Sequence, residues 1–199
     1  MNRWIRSQDL PIHGFVVVLL VLGFFHETIN ALLEYNYLGI TQGQIWRLLS
    51  GHFVHLNVLH AALNSAGLVL CIAIFGSPRN LAYSCIYLII MALFISSGLF
   101  IFSPNVAYYL GFSGLLHAVT IHYLVLGYNK NRFFYGLALV GMATKLALEQ
   151  SSLFDVFYLQ TLIGDQVINE SHLYGAIGAL LWVILRQLLT QLDYENPAS

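Results

Sequence analysis

The chain has 199 residues, of which 58% are hydrophobic and only 9% charged, with a net charge of -1. A soluble domain carries roughly 25% charged residues, so this composition cannot cover a globular surface and fits a polytopic membrane protein. The near-neutral charge supplies no basic field for nucleic acid. At this length a single domain spanning residues 1–199 is expected.

A membrane crossing needs about 20 apolar residues. Six candidate spans follow in order, near 12–31, 55–76, 81–102, 113–128, 133–149 and 172–189, an all-α bundle. No small-residue cleavage site follows the first, where Phe24-Phe25-His26-Glu27 stands, so it reads as an uncleaved helix. The connection over 32–54 carries Tyr35, Tyr37, Trp46 and Arg47 and reads as an interfacial loop. The second long loop, Gln150 to Ser171, holds Leu153, Phe154, Val156, Phe157 and Tyr158 and is the candidate gate. Cys71 and Cys85 lie in apolar runs and read as small buried hydrophobes. Asn169-Glu170-Ser171 forms a glycosylation triplet of the kind that arises by chance. Arg3, Arg6, Arg79, Lys130, Arg132 and Arg186 fall on one side, Arg47 and Lys145 on the other. The positive-inside rule then puts both termini in the cytoplasm. It also brings the starts of the fourth and sixth spans to the outer side.

The fourth span opens with Gly111-Phe112-Ser113-Gly114. By itself this is a helix start, since serine caps helices and glycine breaks them. The sixth span opens with His172, which shares a face with Gly175, Ala176 and Ala179. Small residues admit a close partner helix, which could bring Ser113 to His172. A serine and a histidine held together can act as nucleophile and base. Asp165 and Glu170 lie nearby but read as loop residues, so no intramembrane carboxylate completes a triad. On the second span His60 and Asn64 lie one turn apart. They could donate to an oxyanion or form an interhelical polar clasp. Lys145 and Glu149 have the spacing of an ion pair within the fifth helix, with contact to a substrate tail as the alternative. The remaining histidines, His52, His55, His117 and His122, raise the question of metal. No His-Glu-x-x-His is present, and no cofactor is expected. The Gly-x-Ser-x-Gly elbow is also missing, because Leu115 stands at its last position.

Taken together these segments resemble the rhomboid family of intramembrane serine proteases, over about Trp46 to Ala179. The matching residues are Trp46-Arg47, His55 with His60-x-x-x-Asn64, Gly111-Phe112-Ser113-Gly114, and His172-x-x-Gly175 with Ala179. The resemblance implies a six-helix bundle, Ser113 as nucleophile, His172 as base and then acid, and an oxyanion held by His60, Asn64 and the Ser113 N–H. Gly111, Gly114, Gly175, Trp46 and Arg47 are implied as supporting residues. His117 stands where many rhomboids have an aromatic residue packed on the histidine. The short chain, Gly51-His52-Phe53, Ser113-Gly114-Leu115-Leu116-His117 and Lys145-x-x-x-Glu149 resemble the rhombosortase branch. That branch implies partners of one kind: exported bacterial proteins with a C-terminal Gly-Gly sorting segment, a transmembrane helix and a basic tail, cut at the outer face of the inner membrane. Water or a small amine would take the acyl group. The competing readings are an inactive rhomboid-like protein that binds membrane helices and a small histidine-rich metal transporter.

Overall fold

A computed structural model describes residues 10–78, 80–151 and 167–195. Arg3, Arg6, Arg79, Asp165 and most of the candidate gate lie outside the described residues. The described chain runs α1 (Leu10–Phe24), α2 (His26–Leu33), β1 (Tyr35–Asn36), α3 (Tyr37–Thr41), α4 (Arg47–Ser50), α5 (Val58–Phe75), α6 (Leu81–Phe102), β2 (Tyr108–Tyr109), α7 (Ser113–Gly127), α8 (Arg132–Glu149) and α9 (Asn169–Glu195).

Among the described residues, three helices are long and apolar enough to cross a membrane: α5, α6 and Asn169–Gln191 of α9. Their outer faces carry half-exposed Leu70, Ile86 and Ile184, apolar surface suited to lipid and not to water. α7 is apolar but has 15 residues, about 22 Å at 1.5 Å per residue. That is short of a core of about 30 Å, so Ser113 at its start sits below the membrane surface if the other end reaches the interface. α8 is less apolar and ends in the polar pair Lys145 and Glu149.

The expected first span is not one helix. It breaks at Phe25, and α2 leaves α1 at 99°. The cause is the polar material that follows. The buried Arg47 guanidinium donates to Ala31 O at 2.7 Å and Glu34 O at 2.8 Å, holding the carbonyls at the end of α2. Trp46 Nε1 donates to Leu32 O, Ser50 Oγ to Leu33 O, and Asn30 Nδ2 to His55 O. Helix ends leave such carbonyls orphaned, and here the first loop satisfies them. The sixth helix also starts earlier than expected, at Asn169, and places Glu170 in its first turn, not in a loop.

The folded first loop is tied to the segment that leads into α7. β1 pairs antiparallel with β2, Tyr35 opposite Tyr109 and Asn36 opposite Tyr108. Gly111 N donates to Gly51 O at 3.0 Å. Gly51 is tightly enclosed, since a Cβ there would meet Tyr35 N at 2.5 Å. Tyr35, Tyr109 and Phe112 are fully or almost fully buried around this junction. α7 packs most closely on α9, at the centre of the bundle.

Candidate active site

Gly111 has φ 125°, a conformation that favours glycine. It turns the chain so that α7 begins at Ser113. The residue that caps α7 is Phe112, which makes no side-chain cap. The Ser113 hydroxyl is therefore not used for capping. Its Oγ lies 3.0 Å from His172 Nε2. The two helices can approach this closely because of the glycines. A Cβ on Gly175 would lie 2.2 Å from Gly114 O, and one on Gly114 would lie 3.0 Å from Ser171 O. The small-residue face expected on α9 is thus the seam against α7, with Ala176 and Ala179 buried in it.

Ser113 and His172 open into a cavity of about 170 Å³ that His60, Asn64, Tyr108, Tyr109 and Leu110 also line. Asn57 Oδ1 accepts from His60 N and starts α5. One turn later Asn64 points the same way as His60. Asn64 Nδ2 is buried and, among the described residues, has no hydrogen-bond partner. A buried donor without a partner costs roughly 1–3 kcal/mol, so such groups mark a place meant for an incoming acceptor. Both side chains converge on Gly111, where a Cβ would lie 2.8 Å from His60 Cε1 and 3.5 Å from Asn64 Nδ2. The Ser113 N–H belongs to the first turn of α7, so no carbonyl of its own helix can take it. The positive end of the helix dipole adds to that field.

The imidazole of His172 is 5% exposed and held on two sides. His117 stacks on it with centroids 4.0 Å apart and planes 15° from parallel. The position expected to be aromatic therefore keeps its packing role with an imidazole. On the other side, Glu149 Oε2 lies 3.0 Å from His172 Nδ1. The sequence showed no carboxylate beside the serine-histidine pair, and the fold brings Glu149 to it. The last turn of α8 puts Glu149 on the same face as Lys145, and its carboxylate reaches both Lys145 and His172. Spacing along α8 reveals the Lys145 pair; the contact with α9 has no local signal.

The model of the Rhomboid domain family matches residues 42–187. The chain belongs to the rhomboid family. Rhomboids are intramembrane serine proteases, and this one is accordingly an integral membrane enzyme that acts on transmembrane substrates. No individual curated protein matches the chain.

The remaining expected residues of this rhomboid fall outside the cavity. Trp46 and Arg47 lie in the first loop and brace the backbone that carries Gly51 and, through it, Gly111. His52 and His55 sit in a non-helical turn of that loop. His52 Nε2 is 2.9 Å from Ser96 Oγ, and burial pushes its pKa down to about 4. His55 packs edge-on to His60, with centroids 5.1 Å apart; burial, then the neighbouring His60, lowers its pKa to about 3. Both are neutral core histidines. Ligand atoms of His117, Glu149 and His172 lie within 4.8 Å of one another, a spacing that could suit a metal ion. Lys145 Nζ, however, lies 2.9 Å from His117 Nε2 and also binds Glu149. An ammonium thus already holds the place of a cation and would repel a second one. Buried Tyr109 donates to Gly111 O at 2.6 Å, a contact the sequence did not reveal. Burial raises its pKa to about 12, so it stays a phenol.

Proposed function

We propose that Ser113 is the nucleophile and His172 the general base of this protease. The observation that carries the reading is the 3.0 Å contact from Ser113 Oγ to His172 Nε2, made at a cavity lined by the unpartnered donor Asn64 Nδ2. Ser113 Oγ forms a bond to the scissile carbonyl carbon, and its proton passes to His172 Nε2. The carbonyl electron pair moves to oxygen, where the Ser113 N–H, Asn64 and His60 receive it. Collapse of this intermediate breaks the C–N bond, and His172 returns the proton to the leaving amine. Water or a small amine then resolves the acyl-enzyme.

The wider frame is a six-crossing bundle in a bacterial inner membrane. Both termini are cytoplasmic and the cavity opens outward. Lys130 and Arg132 lie at the α7–α8 connection and Arg186 in the second half of α9, away from the α7 start that carries Ser113, which supports that orientation. The substrates are C-terminal transmembrane sorting segments with a Gly-Gly pair. Two glycines weaken a helix by about 1 kcal/mol each relative to alanine, which favours the unwinding that exposes a carbonyl. The rhombosortase-like segments of the sequence support this choice over other membrane helices.

The test is mass spectrometry of the released C-terminus when this protease is co-expressed with a Gly-Gly-tailed membrane protein. Cleavage beside the glycine pair that disappears with Ser113→Ala is expected. Cleavage that survives Ser113→Ala refutes the assignment of the nucleophile. Failure of the active enzyme to cut any Gly-Gly tail, while it cuts other membrane segments, refutes the substrate class.

A further inference from the structure

With His172 neutral, as a resting general base must be, the polar atoms around it admit one consistent assignment of hydrogens. The Ser113 carbonyl only accepts, so His117 Nδ1, 2.8 Å away, must carry a hydrogen. His117 Nε2 then presents a lone pair and accepts from Lys145 Nζ at 2.9 Å. Lys145 also donates to Glu149 Oε1, which leaves the second carboxylate oxygen for His172. A carboxylate only accepts. His172 therefore carries its hydrogen on Nδ1 and directs the Nε2 lone pair at the Ser113 hydroxyl. A general base needs that tautomer.

The carboxylate is built into the fold and not merely nearby. Its side chain is 5% exposed, while that of Lys145 is 44% exposed. Around it α8 and α9 are joined by two crossed hydrogen bonds, Asn169 Nδ2 to Glu149 O at 3.0 Å and Gln150 Nε2 to Asn169 O at 3.1 Å. A buried carboxylate is costly without partners. This one has a cation on one oxygen and an imidazole on the other.

We propose that Glu149 is a positioning residue for His172, so that the centre works as Ser113-His172-Glu149 with Lys145 anchoring the carboxylate. The inference rests on the reading of Ser113 and His172 given above. In the chemical step the proton of Ser113 moves to His172 Nε2, making an imidazolium. Glu149 stays ionised, holds the ring and offsets the new charge. Lys145 balances Glu149 at rest, and the oxyanion balances the imidazolium as both form. No net charge is therefore created in the buried site.

The experiment uses the full chain in detergent and a fluorophosphonate probe, which phosphonylates an activated serine and releases fluoride. Glu149→Gln keeps shape and removes charge; in serine proteases the equivalent loss costs about 10⁴-fold in kcat. We expect labelling of Ser113 to slow by at least about a hundredfold at unchanged melting temperature. Glu149→Ala leaves a hole that formate can fill, and formate should restore labelling in a saturable way, whereas formamide should not. Glu149→Gln labelling within about threefold of wild type overturns the proposal. Equal rescue by formate and formamide overturns it as well, because filling space would then suffice. Should Glu149→Gln not fold, Lys145→Met carries the test: it releases the carboxylate from its anchor, and an unchanged labelling rate is again contrary. Labelling that persists in Ser113→Ala refutes the underlying nucleophile; normal loss in Ser113→Ala with full reactivity of Glu149→Gln refutes this inference alone.

Discussion

Substitution of Gly175 by alanine tests how the two central helices create the site. The new Cβ would lie 2.2 Å from Gly114 O, against 3.4 Å for an ordinary contact, so the helices must part by the difference, about 1.2 Å. Gly114 adjoins Ser113, and Gly175 is one turn from His172. If the whole shift is passed on, the Ser113–His172 separation grows from 3.0 Å to about 4.2 Å, beyond the proton-transfer range of about 3.2 Å. Misplacement by about 1 Å can cost on the order of a hundredfold in rate. Stability responds less. Alanine gains about 1 kcal/mol in helix propensity, and overpacking costs about 1–3 kcal/mol, so the net loss is at most about 2 kcal/mol. The assay pairs cleavage of a membrane-embedded substrate with thermal unfolding in the same detergent. The expected result is a hundredfold loss of kcat/KM in a protein that still melts cooperatively. A Gly175→Ala enzyme with near-normal turnover would refute the claim that this contact sets the catalytic distance.

Three further outcomes follow from particular contacts. Asn64→Ala should lower kcat about 10²–10³-fold, the cost of one oxyanion donor, with a stability change below about 1 kcal/mol because Asn64 Nδ2 has no partner to lose. Steady-state kinetics and a melting curve check both halves. Arg47→Met should destabilise the fold by about 3 kcal/mol or more, since it orphans the carbonyls of Ala31 and Glu34, and proteolysis should then cut within the first loop. His52 and His55 give a pH dependence. Their folded values, about 4 and about 3, lie below the ordinary 6.5, so the fold disfavours their protonation. Stability is full above about 6.5 and falls as pH drops from there toward 4. Melting temperatures measured over that window should fall, and His52→Gln should flatten part of the decline.

Much of the site was legible because its parts are local. The positions α6 and α7 occupy follow from apolar length, and Gly111-x-Ser113-Gly114 announces a turn into a helix. His60 and Asn64 share a face by simple helix geometry, as do Gly175, Ala176 and His172. What could not be read depends on contacts between distant segments. The bend at Phe25 is set by Arg47, more than twenty residues later, and apolar run length cannot register it. Glu149 reaches His172 across 23 residues, and only Lys145, four residues away, gives it a local partner in the sequence. The short β1–β2 pair and the Gly51–Gly111 hydrogen bond are likewise products of the tertiary fold.

The most direct measurement of the central claim is peptide mapping of the chain after reaction with a fluorophosphonate. A single adduct on Ser113, abolished in His172→Ala while that variant still folds, is the predicted result. An adduct on another serine, or undiminished modification of Ser113 without the His172 imidazole, would contradict it.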